Sequence, residues 1–293
     1  MSDTQHLRKA ILLLAFSALL FSGMGVFIRL ASHTVDNATI VFFRNAIGLI
    51  FILPFVLGAG LSNLKTQKLW MHTWRAVIGL TAMYGFFYAI AHMKLSNAMV
   101  FTYSSPIFIP LVAWLFLKEK MTSWMFITAC LGLVGVLFVA KPDAGMINTV
   151  SMIGLSSSFC AAMAFVTVRA LTNTEPAVRI VFYFCLISTI ISAIPMFWHW
   201  RSFNITELTY LVIAGLLATS SQLFLSNAYK LAPAGKIGPT NYLAIIFAGI
   251  WAALLWQEYP DLYSIIGFVI ILIALVMCLP HIQNKFSAKN KAP

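Results

Sequence analysis

The polar side chains that could meet a solute fall into four small clusters, each set in an otherwise apolar run. Tyr103, Ser104 and Ser105 lie within LSNAMVFTYSSPIFIPLVAWLFLKE at 95–119, and Thr240, Asn241 and Tyr242 within AGKIGPTNYLAIIFAGIWAALLWQE at 234–258. Tyr84, Tyr88 and His92 recur at i, i+4 and i+8. Gln222, Ser226 and Tyr229 recur at i, i+4 and i+7, with Asn227 beside them. On a helix each of these sets shares one face. Hydroxyls, amides and phenol rings bind a solute without a fixed charge. The same groups also hold membrane helices together or form an aromatic belt at the lipid surface, so both readings stand for the second pair of clusters.

The first pair has a further mark. Pro106 lacks an N–H, which deprives the carbonyl of Thr102 of its helical partner, and Pro110 does the same to residue 106. The second stretch carries Pro239. Inside lipid such backbone groups must be satisfied by protein, water or ligand, so a broken helix at mid-membrane points to a solute site. Tyr103, Ser104, Ser105, Asn241 and Tyr242 are therefore the leading candidates, with Tyr84, Tyr88, Gln222 and Asn227 closing the walls. Ser156, Ser157 and Ser158 read either as site residues or as small residues that permit close packing. Met24 and Met163 read as soft walls or as core filling. Arg44 is the most unusual charge. Within an apolar helix it is a possible anion partner, or it snorkels to the headgroups as Arg29 is expected to do.

Absences narrow the chemistry. The eight acidic residues, Asp3, Asp36, Glu119, Asp143, Glu175, Glu207, Glu258 and Asp261, all sit at loops or helix ends. No carboxylate is placed to relay protons at mid-membrane, which disfavours proton antiport through an acidic side chain. There is no H-E-x-x-H, no G-x-S-x-G and no phosphate-binding glycine loop, so the chain reads as a non-enzyme. Cys130, Cys160, Cys185 and Cys278 lie in apolar runs without metal-ligand spacing. No cofactor and no metal are expected.

The elements that position these residues follow from composition. The chain is 61% apolar and only 9% charged, where a soluble domain carries about 25% charge. It reads as an all-α integral membrane protein. Ten spans are expected, at 10–28, 38–57, 74–91, 97–117, 124–140, 153–168, 178–197, 208–227, 237–256 and 263–279. The first exceeds the apolar length of a signal peptide and no clear A-x-A site follows it. The two broken stretches align without a gap at an offset of 258 − 119 = 139, and IVFF at 40–43 is echoed by IVFY at 180–183. Each half then holds five spans. Five is odd, so the second half enters the membrane in the opposite sense, giving two inverted five-helix repeats. The division is 1–141, a linker at 142–150, and 151–293 with a basic tail. With both termini on one side, that side carries 14 of the 19 Lys and Arg and the other carries 5. Positive residues mark the cytoplasmic face, so both termini are expected there. Charge spread over every inner loop also argues against a nucleic-acid partner.

This combination resembles the EamA-type members of the drug/metabolite transporter superfamily. The matching residues are SPIFIPLVAWLFLKEKMTSW at 105–124 with Gly132 and Gly135, and YLAIIFAGIWAALLWQE at 242–258 with Gly267 and Ala274. The Ala228, Ala232, Pro233, Ala234 entry and the arginine of VFFR at 41–44 also fit. Ile245 departs from the pattern where the first half has Pro106, and Thr128 where the second half has Gly267. The resemblance implies a central cavity between the halves, lined chiefly by helices 1, 3, 4, 6, 8 and 9. It also implies a carrier, often an exporter, of small organic metabolites. Glu119 and Glu258 match the family's glutamates after helices 4 and 9, and are expected to cap or pair at helix ends. The expected function is alternating-access transport of neutral, zwitterionic or amphipathic solutes in a bacterial inner membrane, by a monomer or homodimer. A channel or a non-transporting membrane subunit is the alternative.

Overall fold

The computed structural model describes residues 3–92, 104–120, 122–140, 149–198, 202–257 and 259–277. Among these the chain is helical and holds no strand. A backbone in lipid has no water to bond, so each segment must satisfy its own N–H and C=O groups. The helices are α1 (Asp3–Ser32), α2 (Asn37–Ala59), α3 (Leu69–His92), α4 (Ser105–Leu117) and α5 (Ser123–Ala140). They continue with α6 (Thr149–Leu171), α7 (Ala177–Trp198), α8 (Ile205–Leu231), α9 (Ala234–Trp256) and α10 (Leu262–Met277). Six of them, α1, α2, α6, α7, α8 and α9, are long and apolar enough to cross a membrane. Shorter apolar helices occupy 105–117, 123–139 and 262–277.

Several helices start earlier than hydropathy alone suggests, because their ends are held by polar caps. The Asp36 carboxylate accepts from the backbone N–H groups of Ala38 and Thr39. Asn204 and Glu207 form a reciprocal capping box at the start of α8. Each satisfies amides that a helix start otherwise leaves free.

The two proline-marked segments differ in detail. In α9 a single α turn, Ala234–Ile237, passes into a 3-10 stretch, Gly238–Tyr242, before Leu243–Trp256 resumes as α-helix. Pro239 sits in the first turn of the 3-10 stretch, where a missing N–H costs least. In α4, Pro106 likewise lies in the first turn, and the helix continues across Pro110. Thr102 and Tyr103 fall outside the described residues. Both helices end alike: Lys118 and Gln257 adopt left-handed backbone (φ 52° and 56°), their N–H groups returning to Ala113 and Ala252.

Packing runs across the chain rather than along it. The α1 helix lies against α8 and α9, and α6 lies against α3 and α4. In the middle α2 packs on α7 and α8, and α3 also reaches α7. At the far side α5 packs on α10 through Gly135 and Gly267. A Cβ on Gly135 would lie 2.8 Å from the Gly267 carbonyl, and a Cβ on Gly267 would lie 2.5 Å from that of Gly135. Those backbones touch, so neither position admits a side chain.

Candidate functional site

A central cavity of about 140 Å³ lies among α1, α2, α3, α4, α6, α7, α8 and α9. Its walls are largely apolar, with Phe21, Met24, Phe86, Phe87, Phe165 and Phe184 on several sides. The helices that frame it are tied by serines. The Ser17 hydroxyl of α1 donates to the Ser221 carbonyl of α8 at 2.8 Å, and the Ser221 hydroxyl returns to the Ser17 carbonyl at 3.0 Å. Across the cavity, the Ser157 hydroxyl of α6 donates to the Ala82 carbonyl of α3 at 2.6 Å. Gly85 permits that approach, since a Cβ there would stand 3.0 Å from the Ser157 Cβ.

Two arginines face into this space. Arg44 of α2 is 4% exposed and Arg75 of α3 is 3% exposed. Both guanidiniums lie against the Phe184 ring, Arg75 at 3.6 Å from its centroid and Arg44 at 5.3 Å. Arg75 Nη2 donates to Gln222 Oε1 at 2.7 Å, while its Nε and Nη1 are buried without a partner. Arg44 Nη1 donates to Asn45 Oδ1 at 2.6 Å. Among the described residues neither meets a carboxylate.

The sequence-predicted site residues divide. Ser105, Gln222, Asn241 and Arg44 all line the cavity, with Met24, Ser157 and Ser158. Asn241 Nδ2 donates to the Gly238 carbonyl at 3.1 Å and to Tyr229 Oη at 3.3 Å. Ser104 is buried at the start of α4. Tyr103, the side chain of His92 and Glu258 lie outside what is described.

Four expectations need correction. The cavity face of α3 is Arg75, Gly79, Ala82, Met83 and Phe86, rather than the Tyr84, Tyr88, His92 face. Tyr84 packs instead with Met24, Ile28 and Leu80, its hydroxyl unpartnered, and Tyr88 points outward at 39% exposure. Tyr242 is fully buried away from the cavity. Its hydroxyl donates to the Ala129 carbonyl at 2.9 Å, and its ring fills the space left by Gly132. Asn227 is exposed, and its Nδ2 bonds back to the Leu223 carbonyl of its own helix at 2.9 Å. Ser156 is exposed, and Met163 packs into the cluster around Leu14.

Arg75 is the residue that hydropathy misses. A span drawn from Trp74 leaves it among the flanking charges, whereas α3 starts at Leu69 and carries it inside. The available signal was Gly79 one turn on, in a face that is otherwise apolar. A Cβ on Gly79 would sit 2.5 Å from Arg75 Nη1, so the glycine makes the room that the guanidinium occupies.

A second polar group lies at the α6–α7 end. Glu175 accepts from the Thr66 hydroxyl at 2.7 Å and from Arg179, and His72 Nε2 lies 4.0 Å away. Burial opposes the Glu175 charge, but the hydrogen bonds from Arg179 and Thr66 and the Arg179 charge outweigh it, so its pKa is lowered. Burial lowers that of His72 to about 4, against the pull of Glu175, so the imidazole is neutral near pH 7. Nearby, Arg169 Nε meets Glu119 Oε1 at 3.1 Å, and its Nη1 donates to the Tyr229 carbonyl at 2.8 Å.

A model of the EamA-like transporter family matches this chain twice, over residues 8–141 and over residues 149–279. The pseudopaline exporter CntI of Pseudomonas aeruginosa is 33% identical over 92% of this chain and 95% of its own length. An S-adenosylmethionine uptake transporter of Rickettsia bellii is 25% identical over 85% of this chain and 86% of its own. An uncharacterized transporter of Helicobacter pylori is 28% identical over 91% and 93%. These named relatives are transporters rather than enzymes. A solved crystal structure of a protein superposes with a TM-score of 0.80 at 17% identity, covering 94% of this chain and 98% of that one.

Proposed function

Because this chain belongs to the EamA-like transporter family, we propose that it exports a small amphipathic or zwitterionic metabolite by alternating access across a bacterial inner membrane. The carrying observation is the central cavity framed by helices of both halves, with aromatic and hydroxyl walls and no carboxylate among its described lining residues. Such a wall binds an apolar body and a few polar groups without holding them tightly, which a carrier requires. Direction is read from the higher identity to a named exporter than to a named uptake transporter.

Alternating access needs two halves that exchange roles, and several observations support an inverted pair of five-helix repeats. The family match falls into two segments on either side of residues 142–148. Exchanging each helix with the one five places on maps the α1–α8 contact onto α6–α3, and α1–α9 onto α6–α4. The serine ties obey the same exchange: 157 − 17 = 140 and 221 − 82 = 139. The left-handed helix ends do too, at 257 − 118 = 139. Moving the cavity arginines out of the loop-charge tally leaves 14 − 1 = 13 against 5 − 1 = 4. Cytoplasmic termini remain the reading.

The test is counterflow with purified protein in liposomes loaded with a hydrophobic amino-acid mixture. Saturable exchange that speeds with trans substrate is expected. Flux rising linearly with concentration indicates a channel, and no flux above empty liposomes removes the carrier reading.

A further inference from the structure

We propose that Arg44 and Arg75 form the recognition point for a carboxylate of the transported metabolite, so that the cavity selects organic acids and zwitterions over neutral analogues. The proposal rests on the carrier reading above and names the substrate class of that same site. A guanidinium keeps its charge in almost any protein setting, and charge inside a membrane is conserved at a cost only where it is used or paired. Both side chains are almost wholly buried, so headgroup snorkelling does not account for them. Neither has a carboxylate partner among the described residues.

The surroundings are built for a guanidinium that still has donors to give. Gln222 holds one Arg75 nitrogen and the Phe184 face supports the plane, while Nε and Nη1 remain unpartnered. Gly79 clears the volume that Nη1 fills. Asn45 holds one nitrogen of Arg44, and the same Phe184 ring lies beneath it. Two like charges against one ring repel, and an anion between them relieves both. A planar carboxylate matches the parallel donors of a guanidinium fork. The rest of the cavity suits the remainder of such a molecule: phenyl rings for an apolar body, and Ser105, Ser158 and Asn241 for amine or amide groups. The Ser158 hydroxyl is buried without a partner, which leaves it available.

The pair also lies on one side of the repeat. Arg44 corresponds to Phe184 at an offset of 140, and Arg75 to Ala214 at an offset of 139. Recognition of charge therefore belongs to the first half, and the second half supplies the platform.

The test uses the full chain in lipid nanodiscs, titrated with N-acetylphenylalanine, with its uncharged amide and with phenyl phosphate, and read by thermal shift. Wild type is expected to bind the acid at least tenfold more tightly than the amide. Arg75→Gln and Arg44→Gln should each bring acid and amide to within threefold, and Arg75→Lys should restore part of the preference. Equal binding of acid and amide by wild type overturns the proposal, as does the absence of any shift with the acid. A shift with phenyl phosphate alone overturns the carboxylate assignment. The wild-type comparison needs no variant, so a misfolded substitution cannot obscure it. Counterflow separates the two readings: if the acid binds as described but is never exchanged, the recognition point stands and the carrier reading falls. If the amide is exchanged and the arginine variants match wild type, the carrier reading stands and this proposal falls.

Discussion

Arg169 and Arg179 sit at the α6–α7 end of the molecule, and each meets a carboxylate, Glu119 and Glu175 respectively. Arg44 and Arg75 sit in the central cavity, more deeply buried, and meet only amide oxygens and one aromatic ring. Among the described residues the chain thus supplies counter-charges where arginine holds helix ends together and withholds them in the cavity. Removing a charge from water costs several kcal/mol unless a partner compensates. At the end of the bundle that partner is covalently part of the protein. In the cavity the aromatic face compensates in part, by about 2 kcal/mol or more for a desolvated cation.

The hardest way to break this contrast is to remove what the cavity arginines lean on. Phe184 is 2% exposed and packs with Ile52, Val56 and Ala76 as well as beneath both guanidiniums. Phe184→Ala is expected to cost about 3–5 kcal/mol, from lost burial and the void left behind. Counterflow should vanish with it. Phe184→Leu should recover most of the stability and little of the exchange. An unfolding midpoint for Phe184→Ala equal to wild type would mean that the ring is not the platform described.

Next in size is the counter-charge itself. Glu175→Gln removes the counter-charge of Arg179, which keeps the Asn63 carbonyl, and leaves Thr66 with a weaker acceptor. Breaking a buried pair costs about 3–5 kcal/mol, and the partial exposure of Arg179 lowers that to about 2–3 kcal/mol. Arg75→Gln should do the reverse. It removes a buried cation with no carboxylate beside it, so the unfolding midpoint should stay or rise. Opposite signs for the two substitutions in one denaturation series would sharpen the comparison, and equal losses would erase it.

Acid offers a third probe. The pKa values of His72 and Glu175 are both lower in the folded protein than in a free chain. Below about pH 6.5 the unfolded chain binds a proton at His72 that the folded protein refuses until about pH 4. Stability therefore falls as pH drops through that window. Glu175 adds to the loss lower down: its contribution is present above the unfolded carboxylate pKa and disappears as pH falls through its lowered one. The combined loss is on the order of 2 kcal/mol. His72→Gln should flatten the upper part of the curve, and Arg75→Gln, which removes one of the positive charges that lower the His72 pKa, should narrow the window from its acid side. A flat profile from pH 7 to pH 4 would contradict the burial of His72.

Much of this was legible in the residues. A proline without an N–H leaves a mark wherever it falls, so the helix start beside Pro106 and the 3-10 stretch at Pro239 sit where the sequence pointed, and with them Ser105 and Asn241. Arg44 was visible because it interrupts a long apolar run. Arg75 was not, because hydropathy locates the end of a span only to within a turn or so, and that turn decides whether a charge flanks or enters the cavity. Ser17 and Ser221 were equally silent. A serine in a membrane helix commonly bonds its own backbone, as Ser192 does with the Ser188 carbonyl at 2.6 Å, and nothing in the residue type separates that from a tie between helices. Tyr242 misled for the converse reason. Its hydroxyl is satisfied by a carbonyl that it reaches only because residue 132 is glycine, a pairing of α5 and α9 that spacing along either helix does not express.

The smallest expected effect concerns Glu119. Its pair with Arg169 is about one-fifth exposed on each side, so water screens it and the pair is worth about 0.5–1 kcal/mol. Replacing Glu119 with Gln leaves Arg169 with the Tyr229 carbonyl at 2.8 Å, as Arg179 keeps that of Asn63, and the difference between the two pairs is the deeper burial of Glu175. The α4 end keeps its left-handed turn at Lys118, which depends on backbone and not on the carboxylate. Glu119→Gln should therefore shift the unfolding midpoint slightly, by less than half the Glu175→Gln shift. It should leave counterflow and any response to an imposed pH gradient unchanged. Glu119 lies at a helix end and is not among the described residues that line the cavity. A well-folded Glu119→Gln protein that still exchanges solute but no longer accumulates it under a pH gradient would place a coupling proton at this pair. The Glu119–Arg169 contact would then belong with the cavity arginines as working machinery rather than with Glu175–Arg179 as scaffold.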